Sequence, residues 1–186
     1  MPTASHQEVM NIVIENPPRT IKEVYEMLPE GTLAELIDNQ IYMSPAPFSS
    51  HQKLLLKLAN KLVEIVENVN LGEVIIAPFD VKLEAARNAV QPDITVILKS
   101  NAQQIVEGRY VGIPDLVVEI LSPGNKEHDL ITKKDLYEKF GVQEYWIVDP
   151  ETKLALGYTL KEGIYHQIGE DLGKMQSPLL QAEFIF

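Results

Sequence analysis

The sequence contains no cysteine. Disulfide staples, thiolate nucleophiles and Cys-ligated metal sites are therefore excluded, and a reducing compartment suits the composition. Cationic side chains are scarce: 16 Lys and Arg stand against 27 Asp and Glu, for a formal net charge of −11. That balance excludes a broadly basic nucleic-acid-binding surface and leaves room only for a local groove. No apolar run approaches the ~20 residues that span a bilayer. Residues 1–20 also lack the basic stretch and apolar run of a signal peptide. The expected setting is the cytoplasm, with no membrane partner. Internal repeats and low-complexity tracts are absent as well. What is present is ordinary for a globular protein: 186 residues, 45% hydrophobic and 23% charged, enough for one domain over 1–186 with its own core.

Residues 1–19 read as a lead-in. Ile21, Val24, Met27 and Leu28 recur at helical spacing, and Pro29 to Gly31 ends that helix. Residues 33–43 read as two short strands about Asp38-Asn39, a hairpin turn. Ser49 and Ser50 are candidate N-caps of a long helix. Its apolar stripe is Leu54, Leu55, Leu58, Leu62, Ile65 and Val66, and it ends over 68–72. Strands are expected at 73–84, 90–98 and 114–121. A turn at Arg87-Asn88 joins the first two, and a polar connection over 99–113, with room for one short helix, joins the last two. The spacing predicts a helix over 126–140, with Gly141 as its C-cap. Residues 142–149 form a buried fourth strand, with Tyr145 and Trp146 in the core. Turns at Glu162-Gly163 and Gly169 divide the remainder into two or three antiparallel strands before a last strand at 179–186. Across 49–149 the order is helix, three strands, helix, strand. A helix between the third and fourth strands makes that pair parallel. The expected fold is α/β: a central mixed β-sheet flanked by helices on both faces, with extra antiparallel strands at both ends.

Two acids interrupt otherwise apolar strands: Asp93 in Gln-Pro-Asp-Ile-Thr-Val-Ile and Glu119 in Asp-Leu-Val-Val-Glu-Ile-Leu. A carboxylate there is costly to bury unless it is paired, hydrogen-bonded or bound to a cation. Strand parity puts Asp115, Val117, Glu119 and Leu121 on one face, and Asp93 with Thr95. On neighbouring strands the two carboxylates converge on one ion, and hard oxygen donors suit Mg²⁺ or Mn²⁺ rather than Zn²⁺. Pairing of each acid with a nearby Lys or Arg accounts for the same residues without a metal. Three more residues are candidates. Glu35 is a further acid of the site or a hairpin residue. Asp80 is a metal ligand or an outward strand residue. His51, near a helix start, binds phosphate, orients water, or caps and packs. Ser122 has no placed His partner, which excludes a hydrolase of the triad type.

The Pro-Asp and later Glu resemble the PD-(D/E)XK nuclease superfamily. The wider text is more specific. His51-Gln52, Ala77-Pro-Phe-Asp-Val81, Gln91-Pro-Asp93, Pro114-Asp-Leu-Val-Val-Glu-Ile-Leu-Ser-Pro123 and Gly141-Val-Gln-Glu-Tyr-Trp-Ile-Val-Asp-Pro150 resemble the Uma2 family. Ala34-Glu-Leu-Ile-Asp38 is similar to its N-terminal segment. The resemblance implies a restriction-endonuclease-like fold. It also implies a metal-dependent endonuclease acting on nucleic acid, DNA in first place, with Asp93 and Glu119 holding Mg²⁺ or Mn²⁺. One position departs from the superfamily pattern: the lysine two residues after the Glu is replaced by Leu121. The family resemblance places a lysine on the following helix instead, within Asp129-x-x-x-Lys133-x-x-x-Tyr137, with Lys134 and Lys82 as alternatives. By analogy with nuclease folds, a homodimer or higher homo-oligomer is expected. The acidic composition and the displaced lysine also suit an inactive nuclease-fold binding protein.

Overall fold

The computed structural model describes residues 17–84, 88–102, 105–106, 108–124 and 126–186. The expected lead-in up to residue 16, Arg87 of the expected turn, and residues 103, 104 and 107 of the polar connection lie outside them.

A short helix α1 (Ile21–Glu26) is capped by Thr20, whose hydroxyl accepts from the Glu23 N–H at 3.2 Å. Strands β1 (Ala34–Ile37) and β2 (Gln40–Met43) form the expected hairpin. Its two-residue turn needs positive φ at both positions, and Asp38 at 45° and Asn39 at 64° supply it. The long helix α2 (Ser49–Val66) turns Leu54, Leu55, Leu58, Leu62 and Val66 inward. Phe48, not Ser49 or Ser50, occupies its N-cap position, without a side-chain hydrogen bond.

Both long strands expected next are broken. The first divides into β3 (Gly72–Ile76) and β4 (Val81–Glu84) around Pro78. The second divides into β5 (Asn88–Val90) and β6 (Ile94–Leu98) around Pro92. Proline has no N–H for a ladder, so neither run continues. The two halves of each join different sheets. The connection after β6 carries β7 (Ile105–Val106) and β8 (Arg109–Val111), and β9 (Leu116–Ile120) follows. The next helix is π-helical over His128–Lys133 and continues as α3 (Lys134–Phe140). Gly141 caps it in the left-handed region at φ 91°. The last strands are β10 (Glu144–Val148), β11 (Leu154–Lys161), β12 (Ile164–Leu172), β13 (Lys174–Ser177) and β14 (Ala182–Ile185).

The central sheet runs β12-β11-β10-β9-β6-β3. Only β9 and β10 are parallel in it, the pair joined across α3. A second sheet runs β2-β1-β5-β4-β8-β7, and β13 with β14 makes a separate hairpin. Helix α2 covers one face of the central sheet, over Ile94, Val96, Val118, Ile120, Trp146 and Val148. On the other face Leu136 and Tyr137 of α3 meet Ile97, Val117, Tyr145 and Ile147. Ile37, Val81, Val90 and Tyr110 of the second sheet join them. Glu119 shares parity with Val117 and so faces α3 rather than α2. No helix among the described residues is long and apolar enough to cross a membrane.

Glu162 and Gly163 form the expected turn between β11 and β12. Gly169 does not turn the chain: it lies within β12, opposite Gly157 of β11. Both glycines clear space for the Trp146 indole, and a Cβ added at Gly157 would sit 2.4 Å from it. Gly157→Ala is therefore expected to destabilise the protein by about 1–3 kcal/mol through overpacking. The readout is a lower urea midpoint at constant m-value. An unmoved midpoint would mean that the indole yields without cost.

Candidate active site

Strands β6 and β9 pair antiparallel, with Ile94 opposite Val118. One residue further along that register, Asp93 comes opposite Glu119. Pro92 leaves Asp93 just before the strand rather than within it. Its Oδ2 accepts from the Ile120 N–H at 2.7 Å and contacts His51 Nε2 at 3.1 Å. His51 lies buried in the first turn of α2. The Asp93 N–H approaches Glu119 Oε2 at 3.5 Å. Glu119 is buried on β9, where its Oε1 accepts from Lys133 Nζ at 2.9 Å and from the Tyr137 hydroxyl at 2.8 Å.

Lys133 gets there through the π-helical turn. A regular helix over 126–140 was the expectation, and it would leave His128 and Lys133 about 140° apart around the axis. The wider i→i+5 turn buries His128, Asp129 and Lys133 together. Lys133 Nζ thus pairs with Glu35 Oε1 at 3.0 Å and approaches Asp129 Oδ1 at 3.6 Å. Glu35 in turn accepts from the Gln91 N–H at 2.9 Å and meets His128 Nε2 at 3.3 Å. The Tyr42 ring packs on His128, with centroids 4.4 Å apart.

Asp93, Glu119, Lys133, Glu35, His51 and Asp129 line one cavity of about 310 Å³. The other candidates lie elsewhere. Asp80 spends one oxygen on Gln91 Nε2 at 2.9 Å and the other on Arg109 at 3.2 Å, on the far side of Gln91. Lys82 lines the same neighbouring space as Asp80. Lys134 points to the Tyr158 ring, 5.1 Å from its centroid. Leu121 packs into the α3-side core. Asp115 accepts from the Leu98 N–H at 2.7 Å and from Asn101 at 2.8 Å, at the opposite end of β9. His128 was not singled out from the sequence, because no period of an ordinary helix puts it beside Lys133.

Burial disfavours every charge here. It pushes Glu119 well above the usual carboxylate range. Lys133 offsets this only in part, and Asp129, Asp93 and Glu35 add repulsion. Asp129 is pushed up to about 6, again by burial first. Glu35 goes the other way: its burial is overcome by the Lys133 charge and by bonds from His128 and Gln91, which hold it at about 2. Lys133 stays charged against its own burial because Glu119, Glu35 and Asp129 surround it. Burial opposes charge on His51 too, but its bond to Asp93 raises it. Glu35 and Lys133 are the standing ion pair, and the remaining carboxylates lack a full counter-charge.

Among the described residues no three acids or imidazoles form a ready-made metal cage. Lys133 fills the space between Glu35, Glu119 and Asp129. The donor set nonetheless fits a hard divalent cation at the Asp93–Glu119 edge. The contacts of Asp93 use Oδ2 and leave Oδ1 open. Glu119 Oε2 has only the long 3.5 Å approach of a backbone N–H. A cation there would relieve the uncompensated charge.

Glu35 makes the fold acid-sensitive. Its folded value, about 2, lies below its ordinary 4.5. Its stabilising contribution is therefore complete above the ordinary value and lost as pH falls toward the folded one. Urea midpoints of wild type are expected to drop through that acid window, and those of Glu35→Gln to drop less. Parallel curves would contradict this assignment.

Fold and site together define a restriction-endonuclease-like α/β protein with paired acids on adjacent inner strands of its central sheet and a lysine on the helix beside them. The family model for Uma2, described as "Putative restriction endonuclease", matches residues 21–184, and the chain belongs to that family. Among solved structures the chain is similar to one described as "a putative nuclease belonging to DUF820" from Anabaena variabilis ATCC 29413. The TM-score is 0.71 at 19% identity, over 88% of this chain and 92% of that one. At that identity the likeness shows the fold. No curated protein matches the chain.

Proposed function

We propose that the chain is a divalent-metal-dependent endonuclease that hydrolyses phosphodiester bonds in DNA, acting in the cytoplasm. The observation that carries this reading is the meeting of Asp93, Glu119 and Lys133 at one cavity. Family membership supports it. Asp93 and Glu119 would hold Mg²⁺ or Mn²⁺, which when bound polarises a phosphoryl oxygen and makes hydroxide accessible near neutral pH.

The chain's own residues supply the rest. Lys133 and Tyr137 both bond Glu119 Oε1, which fixes the carboxylate with Oε2 toward Asp93. His51 and the Ile120 N–H hold Asp93 Oδ2 in the same way. The 3.6 Å separation of Lys133 from Asp129 exceeds a hydrogen bond. One N–H of the ammonium thus remains for an attacking water or for charge developing on phosphoryl oxygens. Glu35 keeps that ammonium charged and in place. Two copies would be needed to cut both strands at one locus, so a homodimer belongs to this reading.

The test is incubation of DNA with the protein and Mg²⁺ or Mn²⁺. Cleavage that EDTA abolishes is expected, and intact DNA under every metal condition would contradict the proposal. A second reading, a nuclease-fold binding protein without catalysis, is favoured by the −11 net charge and by the close pairing of Lys133 with Glu119 and Glu35. Calorimetry separates the two. A chain that takes up neither Mg²⁺ nor Mn²⁺ at millimolar levels fits the second.

A further inference from the structure

A second cavity, of about 550 Å³, adjoins the one that holds Asp93 and Glu119. Pro78 and Gln91 line both and form their common wall. The lining of the second cavity combines two aromatic rings, Tyr25 and Phe79, with three cations, Lys22, Lys82 and Arg109. Its rim also carries Glu30 and Glu26, the latter paired with Lys22 at 3.5 Å.

A continuous run of polar contacts links this cavity to the carboxylate cluster. Arg109 Nε pairs with Asp80 Oδ2 at 3.2 Å, and Gln91 Nε2 donates to Asp80 Oδ1 at 2.9 Å. The Gln91 N–H donates to Glu35 Oε1 at 2.9 Å, and Lys133 reaches the same oxygen at 3.0 Å. Asp80 thus meets the guanidinium at Nε. Among the described residues no hydrogen bond engages the terminal nitrogens of Arg109, whose side chain is 49% exposed. Lys82 pairs with no acid among the described residues. The Tyr25 hydroxyl donates to the Ala34 carbonyl at 3.4 Å, which steadies the ring.

Aromatic side chains and a guanidinium lining one cavity are the combination that binds an unpaired base and its phosphate. The volume lies within the range of about 300–1,000 Å³ typical of small-molecule sites. Opposite one wall of this cavity stands the cluster assigned to phosphodiester hydrolysis. We propose that the second cavity seats an unpaired nucleotide flanking the scissile phosphate, with Arg109 and Lys82 on the backbone phosphate and the base against Tyr25 and Phe79. This rests on the nuclease reading of the adjoining site and extends it: the substrate is single-stranded where it meets the protein.

The experiment is fluorescence anisotropy of a short fluorescein-labelled thymidine oligonucleotide with the full chain in EDTA, over a range of salt. Wild type is expected to bind the single strand. Arg109→Ala and Lys82→Ala are each expected to weaken binding about fivefold to tenfold and to reduce the slope of log Kd against log salt by about 0.7, one phosphate contact on a single strand. Tyr25→Ala is expected to weaken binding about tenfold with the slope unchanged, because stacking releases no counterion. Lys161→Ala, at the exposed end of β11 and away from both cavities, is expected to keep the wild-type affinity. Wild-type affinity in all three cavity variants overturns the proposal, as does binding of duplex without binding of single strand. The binding measurement needs no turnover. Failure of the nuclease reading is seen instead as wild-type protein that binds the strand but leaves it intact with Mg²⁺ and Mn²⁺.

Discussion

Lys133→Met is expected to abolish metal-dependent cleavage and to destabilise the fold by about 3–5 kcal/mol, the usual result of removing one partner from a buried ion pair. The side chain is buried, and its ammonium is the cation common to Glu35, Glu119 and Asp129. Methionine keeps much of the volume and removes the charge. Glu119 and Asp129 can respond by holding a proton, since burial already pushes both upward. Glu35 does so less readily near neutral pH, because the bonds from His128 and Gln91 that favour its charged form remain when Lys133 is gone. The stability loss should therefore shrink in acid, where Glu35 takes up its proton. The double variant Lys133→Met/Glu35→Gln should recover much of the stability and none of the activity. Urea denaturation beside a cleavage assay reads both effects. Activity that survives in Lys133→Met and disappears in Lys134→Met would move the chemistry to another place.

Asp93→Asn and Glu119→Gln are each expected to slow cleavage about a thousandfold, equivalent to ~4 kcal/mol of lost transition-state stabilisation from the cation they would hold. Their stability should change far less than that of Lys133→Met. Glutamine at 119 keeps an acceptor for Lys133 and Tyr137, and it removes repulsion from Asp129, Asp93 and Glu35. Single-turnover cleavage and Mn²⁺ calorimetry on folded variants provide the measurements. Near-normal turnover in either variant would mean that the two carboxylates are a structural pair.

Much of the scaffold was legible from local chemistry. Asp38-Asn39 announced the first hairpin because few residues accept positive φ twice in succession. The stripe from Leu54 to Val66 announced α2, and the helix between β9 and β10 required that pair to be parallel. The strand breaks at Pro78 and Pro92 were harder. On either side the apolar pattern continues, and nothing local says that the halves enter different sheets. Gly169 read as a turn because the Trp146 indole that requires a glycine there comes from a distant strand.

At the site, parity placed Asp93 with Thr95 and Glu119 with Val117, and the two carboxylates converge only because β6 and β9 are neighbours. Lys133 came from family resemblance, since ordinary helical spacing gives no reason to prefer it over Lys134. The choice depends on the π-helical turn, a change of hydrogen-bond register that leaves no periodic trace in the sequence. Glu35 and His128 were equally hard to pair, because 93 residues separate them along the chain. Asp80 shows the converse. It was a reasonable ligand by residue type, and the fold gives its oxygens to Gln91 and Arg109 instead.

A crystal structure of the protein soaked in Mn²⁺, with the ion located by its anomalous signal, tests the metal centre most directly. One ion at about 2.0–2.2 Å from oxygens of both Asp93 and Glu119, with the Lys133 ammonium still beside Glu119, is the expected result. An ion bound away from those two acids, or none at millimolar Mn²⁺, would contradict it.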